Sequence, residues 1–191
     1  MKSLLTESSA RSVFNYFIEI SKIPRGSGNT APIAEYLVSF AKERGLYVRR
    51  DCADNVIIRK SATPGYESRP TVIIQGHTDI VAQKLPGLDK DMEREGVEVY
   101  RDGDFLRARG TTLGGDDGVA IAYALSLLDS TDIPHPTLEV ICTSDEEVGL
   151  LGAVALDTSD ITGKMMINID SDDEGVFTVG CAGGQRSDVT L

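Results

Sequence analysis

The alternation of apolar and polar positions predicts a chain in which β-strands alternate with α-helices. Short, continuous apolar runs rich in β-branched residues are typical of strands that are buried on both faces. Apolar residues spaced three and four positions apart predict helices instead. The predicted strands are 56–58, 71–74, 138–143, 164–169 and 176–179, with a hairpin at 97–108; the predicted helices begin near Ser8 or Ser9, at Thr30, at Val119 and at Leu150.

Two of these helices are defined by apolar stripes in the first 45 residues. The first has Val13, Phe14, Phe17 and Ile18 on one face, and Pro24 ends it. The second is capped by Thr30 and ends at Gly45, and its buried stripe is predicted to be Ile33, Leu37, Phe40 and Ala41. This order of elements predicts an α/β domain with a largely parallel sheet.

Composition and charge narrow the class of protein. The chain has 191 residues, of which 41% are hydrophobic, and its net charge is −11. An acidic chain is a poor partner for nucleic acid or an anionic membrane, since both need a basic face. No signal peptide is evident, and no apolar run approaches the roughly 18–20 residues that cross a bilayer. Three unpaired cysteines predict reduced thiols and a cytoplasmic location, with Cys142 in the core.

Candidate chemistry is concentrated where predicted strands end or a helix begins. Gly76 ends the 71–74 strand, and an imidazole and a carboxylate follow at once. The carboxyl edge of an open α/β sheet is the usual place for a ligand. One histidine with several carboxylates suits zinc, manganese or cobalt, and an Asp two residues from the His can orient its ring. The clusters are His77-Thr78-Asp79, Asp116-Asp117, Glu146-Glu147 and Asp170.

Taken singly, each cluster has another explanation. A His-x-Asp sequence is often structural, and Glu146-Glu147 is typical of a solvated acidic face. The Gly-Gly-Asp-Asp-Gly segment at 114–118 could be a turn or the aspartate pair of a polymerase palm, but a palm needs a hairpin where this sequence continues as a helix. The Gly-x-Gly at 26–28 follows no buried strand, which makes it weak evidence for nucleotide binding. The joint pattern favours a metal site.

Four segments in this order resemble the dinuclear zinc aminopeptidase/carboxypeptidase superfamily, M20-like. They are residues 75–79, 109–118, 145–149 and 168–172. Within that superfamily the sequence is similar to the aminoacyl-histidine dipeptidases, also called cytosolic non-specific dipeptidases, and residues 174–175 and 180–184 are similar to this subgroup in particular. The resemblance runs from about Phe14 to Gly184. It implies a zinc-exopeptidase-like three-layer domain, with a mixed, largely parallel sheet flanked by helices.

The resemblance implies a role for each site residue. His77 and Asp170 would bind the first of two divalent ions, Asp116 would bridge both, and Glu147 would bind the second. The ions are expected to be zinc, with manganese or cobalt as alternatives. A cis peptide is implied between Asp116 and Asp117. Of the two residues given catalytic roles, Asp79 would stand behind His77, and Glu146 would be the general base.

The sequence departs from the family at its end. Family members have a lid or dimerisation domain, after which a returning segment supplies a last histidine to the second metal. Here the chain ends at Leu191, and the only other histidine, His135, precedes a strand at its amino end. Residues 1–191 are therefore expected to form the amino-terminal portion of the catalytic domain without its carboxyl-terminal part or the lid, as a fragment or a short relative. The second metal site would be incomplete and activity weak or absent.

Three functions remain open at this point. The first is metal-dependent hydrolysis of small peptides of the Xaa-His type, with homodimerisation in a full-length form. The second is an amidohydrolase or aminoacylase of the same superfamily. The third is a non-catalytic metal-binding module. Two bound ions with hydrolysis favour an enzyme, whereas one ion or none without turnover favours the module.

Overall fold

The computed structural model describes residues 10–171, 175–180, 183 and 190. In chain order the elements are α1 (Arg11–Ser21), α2 (Ala31–Glu43), β1 (Tyr47–Arg50), β2 (Val56–Lys60), β3 (Val72–His77), β4 (Val99–Asp102), β5 (Phe105–Ala108), α3 (Gly115–Asp129), β6 (Leu138–Thr143), α4 (Leu151–Ala155) and β7 (Met165–Asn168). Of the described helices, none has the length and apolar character needed to cross a membrane.

A five-stranded mixed sheet organises the chain, in the order β1-β2-β6-β3-β7. β3 pairs in parallel with both β6 and β7, whereas β2 pairs in antiparallel fashion with β1 and β6. Four of the five strands therefore point the same way, which confirms the predicted α/β class. β4 and β5 form a separate antiparallel hairpin, also as predicted. β1 has no counterpart among the predicted strands.

The two faces of the sheet bury alternate residues of the same strands. Ile58, Ile74 and Val140 face the helical layer, which is built from α1, α2 and α3. The opposite face carries Ile57, Ile73 and Ile141, and these pack against Leu156 and Ile161 from the segment around and after α4. Cys142 lies in the helix-covered core and is 1% exposed, so its predicted burial is confirmed.

The register of β3 against its two neighbours brings the predicted site together. His77 is opposite Thr143 at the end of β6, and Gln75 is opposite Asn168 at the end of β7. The Thr78 N–H continues the ladder by donating to the Thr143 carbonyl at 2.8 Å. Because all three strands are parallel, the segments that follow them emerge at the same edge.

One predicted strand is wrong in the described residues. The segment 176–179 forms no strand: Phe177 is 91% exposed and Val179 is fully exposed, because no other strand of the described residues lies beside them. Thr30 is the N-cap residue of α2 as predicted, although its side chain makes no capping hydrogen bond and donates to Asp54 Oδ2 at 3.4 Å. The predicted caps Ser8 and Ser9 lie outside the described residues.

The predicted helical stripes are otherwise close to those observed. All four predicted stripe residues of α2 are buried, and Gly45 follows the helix with φ of +64°. In α1 the buried positions are Tyr16, Phe17 and Ile20, so the face is rotated from the prediction and Ile18 is only half-buried.

Glu139 is a buried carboxylate that binds the segment before β7 to the face of the sheet away from α1, α2 and α3. Its side chain is 0% exposed and accepts hydrogen bonds from Arg59 Nε at 2.9 Å and from the Gly163 N–H at 2.7 Å. Burial opposes its ionisation, but the N–H groups of Gly163, Thr162 and Arg59 lower the pKa of Glu139. These bonds hold the segment that leads directly into β7.

We expect Glu139→Gln to lower the free energy of unfolding by about 1–3 kcal/mol, because an amide NH₂ cannot accept from the buried N–H groups. The control is Glu98→Gln, whose parent side chain is 66% exposed and pairs with Arg109 at 2.7 Å. The free energy of unfolding of Glu98→Gln should fall by less than about 1 kcal/mol, since exposed ion pairs contribute little to stability. Urea unfolding at constant pH measures both variants. Equal losses would contradict this role for Glu139.

Candidate metal centre

His77 is the most enclosed of the predicted metal ligands. It ends β3 and is 1% exposed. Its Nδ1 lies 3.1 Å from the Asp79 carbonyl oxygen and 3.3 Å from Asp79 Oδ1, whereas Nε2 lies 2.9 Å from Asp116 Oδ1. One ring nitrogen is thus oriented by Asp79, and the other points into a group of carboxylates. This is the arrangement of a metal-binding histidine whose second nitrogen has an oriented partner.

Asp79 holds the loop after β6 against the end of β3. The buried carboxylate accepts from the Glu146 N–H at 2.9 Å, the Glu147 N–H at 3.2 Å and Ser27 Oγ at 2.8 Å. Burial alone would raise the pKa of Asp79, but these bonds and the contact with His77 lower it to about 2. Asp79 therefore stays ionised and positions both the imidazole and the two glutamates.

The paired aspartates at the start of α3 point in different directions. The peptide between Asp116 and Asp117 is cis, as the family resemblance implied. Asp116 is exposed and faces His77 Nε2, whereas Asp117 is buried and accepts the His77 N–H at 3.1 Å. Burial raises the pKa of Asp117 to about 7, although the hydrogen bond from the His77 N–H acts to lower it. Only Asp116 is placed to bind a cation.

Gly76 is required by this packing. A Cβ atom at that position would lie 2.6 Å from Asp117 Oδ2 and 2.6 Å from the Ala120 methyl group. Both distances are shorter than any tolerated carbon contact, so a side chain at position 76 would push α3 away from β3. The glycine therefore allows the helix that carries Asp116 to approach His77.

Three of the four predicted ligands form a compact donor group. Single donor atoms of His77, Asp116 and Asp170 all lie within 4.8 Å of one another. No second group of three such side chains occurs in the part of the chain that the structure describes. One imidazole nitrogen with carboxylate oxygens is a donor set for a divalent ion such as zinc, manganese or cobalt. The residues present thus fit the metal that the resemblance implied.

The two adjacent glutamates border this group. Glu146 Oε2 lies 3.9 Å from His77 Nε2. Burial raises the pKa of Glu146, and the negative charges of Asp170 and Glu147 add to this shift. The pKa of Glu147 is also raised by burial and by the charge of Asp116. Glu147 stands outside the three-donor group and lines a neighbouring cleft of about 1160 Å³, so its role as a metal ligand stays a prediction.

The loop at 24–29, whose Gly-x-Gly was weak evidence for nucleotide binding, also contacts the site. Besides the Ser27 bond to Asp79, the Gly28 N–H donates to Asp145 Oδ1 at 2.7 Å, and Arg25 is buried near Asp79 and Asp117. The composition of this segment predicted a loop and no contact with the metal ligands. A charged residue next to Gly-Ser-Gly was its one unusual feature, and no pattern within the loop indicates what it contacts.

His135 lies apart from the donor group, as predicted. It precedes β6, and its carbonyl accepts from the Thr63 N–H at 2.9 Å. The site lies at the opposite, carboxyl end of β6.

No family model matches this chain. The chain is 41% identical over 182 residues to the cytosol non-specific dipeptidase of Escherichia coli, covering 95% of this chain and 38% of that protein. The chain is therefore homologous to part of that dipeptidase.

Two crystal structures of peptidases are also similar to this chain. The aminoacylhistidine dipeptidase from Vibrio alginolyticus is 39% identical with a TM-score of 0.85, covering 92% of this chain and 36% of that one. A tripeptidase from Staphylococcus aureus is 25% identical with a TM-score of 0.72, covering 86% and 44%. The chain therefore spans less than half the length of each of these relatives.

We expect the His77 imidazole of the metal-free chain to titrate near pH 9. Burial lowers the pKa of His77, but hydrogen bonds to Asp79 and Asp116 outweigh it and raise the value from 6.5 to about 9. The stabilisation from the charged ring is complete below pH 6.5 and is lost as the pH rises towards 9. NMR of the ¹⁵N-labelled chain with a chelator measures this titration.

The chain has two histidines, so a His135→Gln variant assigns the remaining imidazole signal to His77. Asp79→Asn should lower the pKa of His77, whereas Asp104→Asn in the exposed hairpin turn should leave it unchanged. A His77 titration at or below pH 6.5 in the folded, unaltered chain would contradict the geometry.

Proposed function

We propose that residues 1–191 form the amino-terminal portion of the catalytic domain of a metal-dependent dipeptidase. The observation that carries this proposal is the donor group of His77, Asp116 and Asp170 at the carboxyl edge of parallel strands, with the Glu146 carboxylate beside it. Homology to proteins named dipeptidases supports a small peptide as substrate. Zinc is the proposed metal, and the donor set also accommodates manganese or cobalt.

The side chains divide into metal ligands and proton carriers. His77 and Asp170 would bind the first ion, Asp116 would bridge the pair, and Glu147 would bind the second. Two divalent ions, when bound, polarise a peptide carbonyl and lower the pKa of a water molecule. The two buried contacts of His77, to Asp79 and through its N–H to Asp117, keep its Nε2 directed at the cation site before any ion arrives.

Glu146 is the proposed general base. Its carboxylate accepts a proton from the attacking water and delivers it to the leaving amine. A raised pKa suits this task, because a carboxylate with a pKa nearer neutrality holds the proton long enough to pass it on. Asp79 fixes the backbone N–H groups of both glutamates, so that one can serve as the base while its neighbour binds metal.

The proposal extends to the substrate, the excluded partners and the location of the protein. The cleft of about 1160 Å³ beside Glu147 has room for a dipeptide, and an Xaa-His preference follows from the similarity to aminoacylhistidine dipeptidase. The net charge of −11 disfavours nucleic acid and anionic membranes as partners. A cytoplasmic location is supported by the name of the Escherichia coli relative and by the sparse cysteines. Homodimerisation is proposed only for a longer form that includes the lid.

A second candidate function is metal binding without turnover. Within the described ranges the clustered donors serve one ion, and a complete second site would need at least one more ligand. Residual hydrolysis that depends on Glu146 would separate the dipeptidase portion from this module, which would bind zinc without any turnover.

We expect the chain to bind one zinc ion tightly and Asp116→Asn to weaken that affinity by more than the roughly 100-fold that outer-shell changes reach. The amide keeps the size of the side chain but loses the anionic donor. Isothermal titration calorimetry measures affinity and stoichiometry. Asp104→Asn, an exposed aspartate in the hairpin turn, is the matched control and should bind like the unaltered chain. Equal affinities for both variants would remove Asp116 from the site.

We expect weak or no hydrolysis of an Xaa-His dipeptide by the chain with added zinc, because the donor group of the described residues would hold one ion. Any residual turnover should fall by about 100- to 10,000-fold in Glu146→Gln, which removes the general base. N-acetyl amino acids provide the comparison substrate. Robust dipeptide hydrolysis would contradict the partial-domain proposal, and faster release of the acetyl group would favour an aminoacylase.

A further inference from the structure

Arg25 is a buried cation that belongs to none of the roles described above. It is 2% exposed and lies in the loop between α1 and α2. Its Nη1 donates to the Thr78 carbonyl at 2.8 Å, and its Nη2 donates to the Gly114 carbonyl at 2.9 Å. The first carbonyl follows His77 directly, and the second precedes Asp116 by two residues. One guanidinium thus joins the two segments that carry His77 and Asp116, whose Nε2 and Oδ1 lie 2.9 Å apart.

Two glycines around the aspartate pair leave space for this group. A Cβ atom at Gly118 would lie 2.4 Å from Arg25 Nη2, and one at Gly114 would lie 3.0 Å from the same atom. Gly114 also has φ of +72°, a conformation that other residues rarely adopt. The Gly-Gly-Asp-Asp-Gly sequence therefore matches a requirement for the guanidinium to reach the backbone on both sides of Asp116.

The backbone of Arg25 is fixed as firmly as its side chain. Its carbonyl accepts the Ile80 N–H at 3.0 Å, and Gly26 forms an isolated parallel bridge with Ile80. These bonds fix the backbone from which the side chain extends, and the bonds to the Thr78 and Gly114 carbonyls fix the head group. A planar guanidinium anchored in this way holds two acceptors at a fixed separation, which a lysine ammonium cannot do.

The surroundings keep Arg25 charged. Burial lowers the pKa of Arg25 to about 10, while the nearby carboxylates of Asp79 and Asp117 act in the opposite direction. Arg25 is therefore a cation at neutral pH. Among the described residues its Nε has no hydrogen-bond partner, so the two bonds to carbonyls leave one donor of the guanidinium unsatisfied.

We propose that Arg25 is a positioning residue for the metal centre: by bonding the Thr78 and Gly114 carbonyls it sets the distance between His77 Nε2 and Asp116 Oδ1. This inference rests on the proposed metal site. It assigns Arg25 no contact with substrate or metal, and its effect is transmitted through the backbone on either side.

The test compares Arg25→Lys with Arg49→Lys in the whole 191-residue chain. Arg49 is a matched control because it is partly buried and its Nε, too, has no hydrogen-bond partner among the described residues. Its Nη2 donates to the Asp157 carbonyl at 2.7 Å and to Asp160 Oδ1 at 2.6 Å. It lies on β1, which is at the edge of the sheet away from the site. Zinc affinity is measured by calorimetry, and the free energy of unfolding by urea titration of the metal-free chain.

We expect Arg25→Lys to lower zinc affinity by about 10- to 100-fold, the range for residues that orient metal ligands. Arg49→Lys should change affinity by less than about twofold, although both variants lose some stability. If Arg25→Lys does not fold, Gly118→Ala is measured in its place. The added methyl group would displace the guanidinium, while the chain keeps the arginine and its charge. The same loss of affinity is expected there.

The outcomes separate this inference from the proposed function. Unchanged zinc affinity in folded Arg25→Lys, with normal binding by the unaltered chain, would overturn the role of Arg25 and leave the metal site standing. Equal losses of affinity in Arg25→Lys and Arg49→Lys would also overturn it, because a general loss of stability would then explain both. No zinc binding by the unaltered chain would overturn the proposed function and this inference together.

Discussion

The geometry of the candidate site depends on one ionised carboxylate in a place that water does not reach. Asp79 is 0% exposed, and its two oxygens accept from Ser27 and from the N–H groups of Glu146 and Glu147. An ionised group is expensive to bury unless it is fully hydrogen-bonded, and these donors together with His77 meet that need. Since the donors come from different loops, satisfying one carboxylate fixes the loops relative to each other.

Two further buried charges extend this arrangement to the paired aspartates. Asp117 packs with Ala120 against Gly76 and accepts the His77 N–H, which fixes the start of α3 close to β3. Arg25 lies near both Asp79 and Asp117 and supplies a positive charge among the negative ones. A chain that places this many carboxylates together would repel itself without such a cation. Arg25 therefore offsets charge and links two backbone segments at the same time.

Sequence reasoning predicted the parts of the fold that local patterns encode. The 138–143 strand has the predicted bounds because it is continuously apolar, and His77 lies at the end of its strand as Gly76 indicated. β1 was missed because its four residues include Arg49 and Arg50 and lack a long apolar run. The contacts of Arg25 were invisible for a different reason, since they join residues 53 and 89 positions apart. The 176–179 segment shows the converse error: its composition suits a strand, but composition alone does not supply a neighbouring strand.

The three clustered donors differ in how firmly they are held, and this difference explains why backbone links matter here. His77 is buried and oriented by Asp79, whereas Asp116 and Asp170 are exposed. An exposed side chain loses conformational entropy when it binds an ion, and that loss reduces affinity. The protein can limit the loss only by holding the backbone from which the side chain extends. The start of α3, packed through Asp117 and bonded to Arg25, does this for Asp116, whose exposed Oδ1 lies 2.9 Å from the Nε2 of the buried His77.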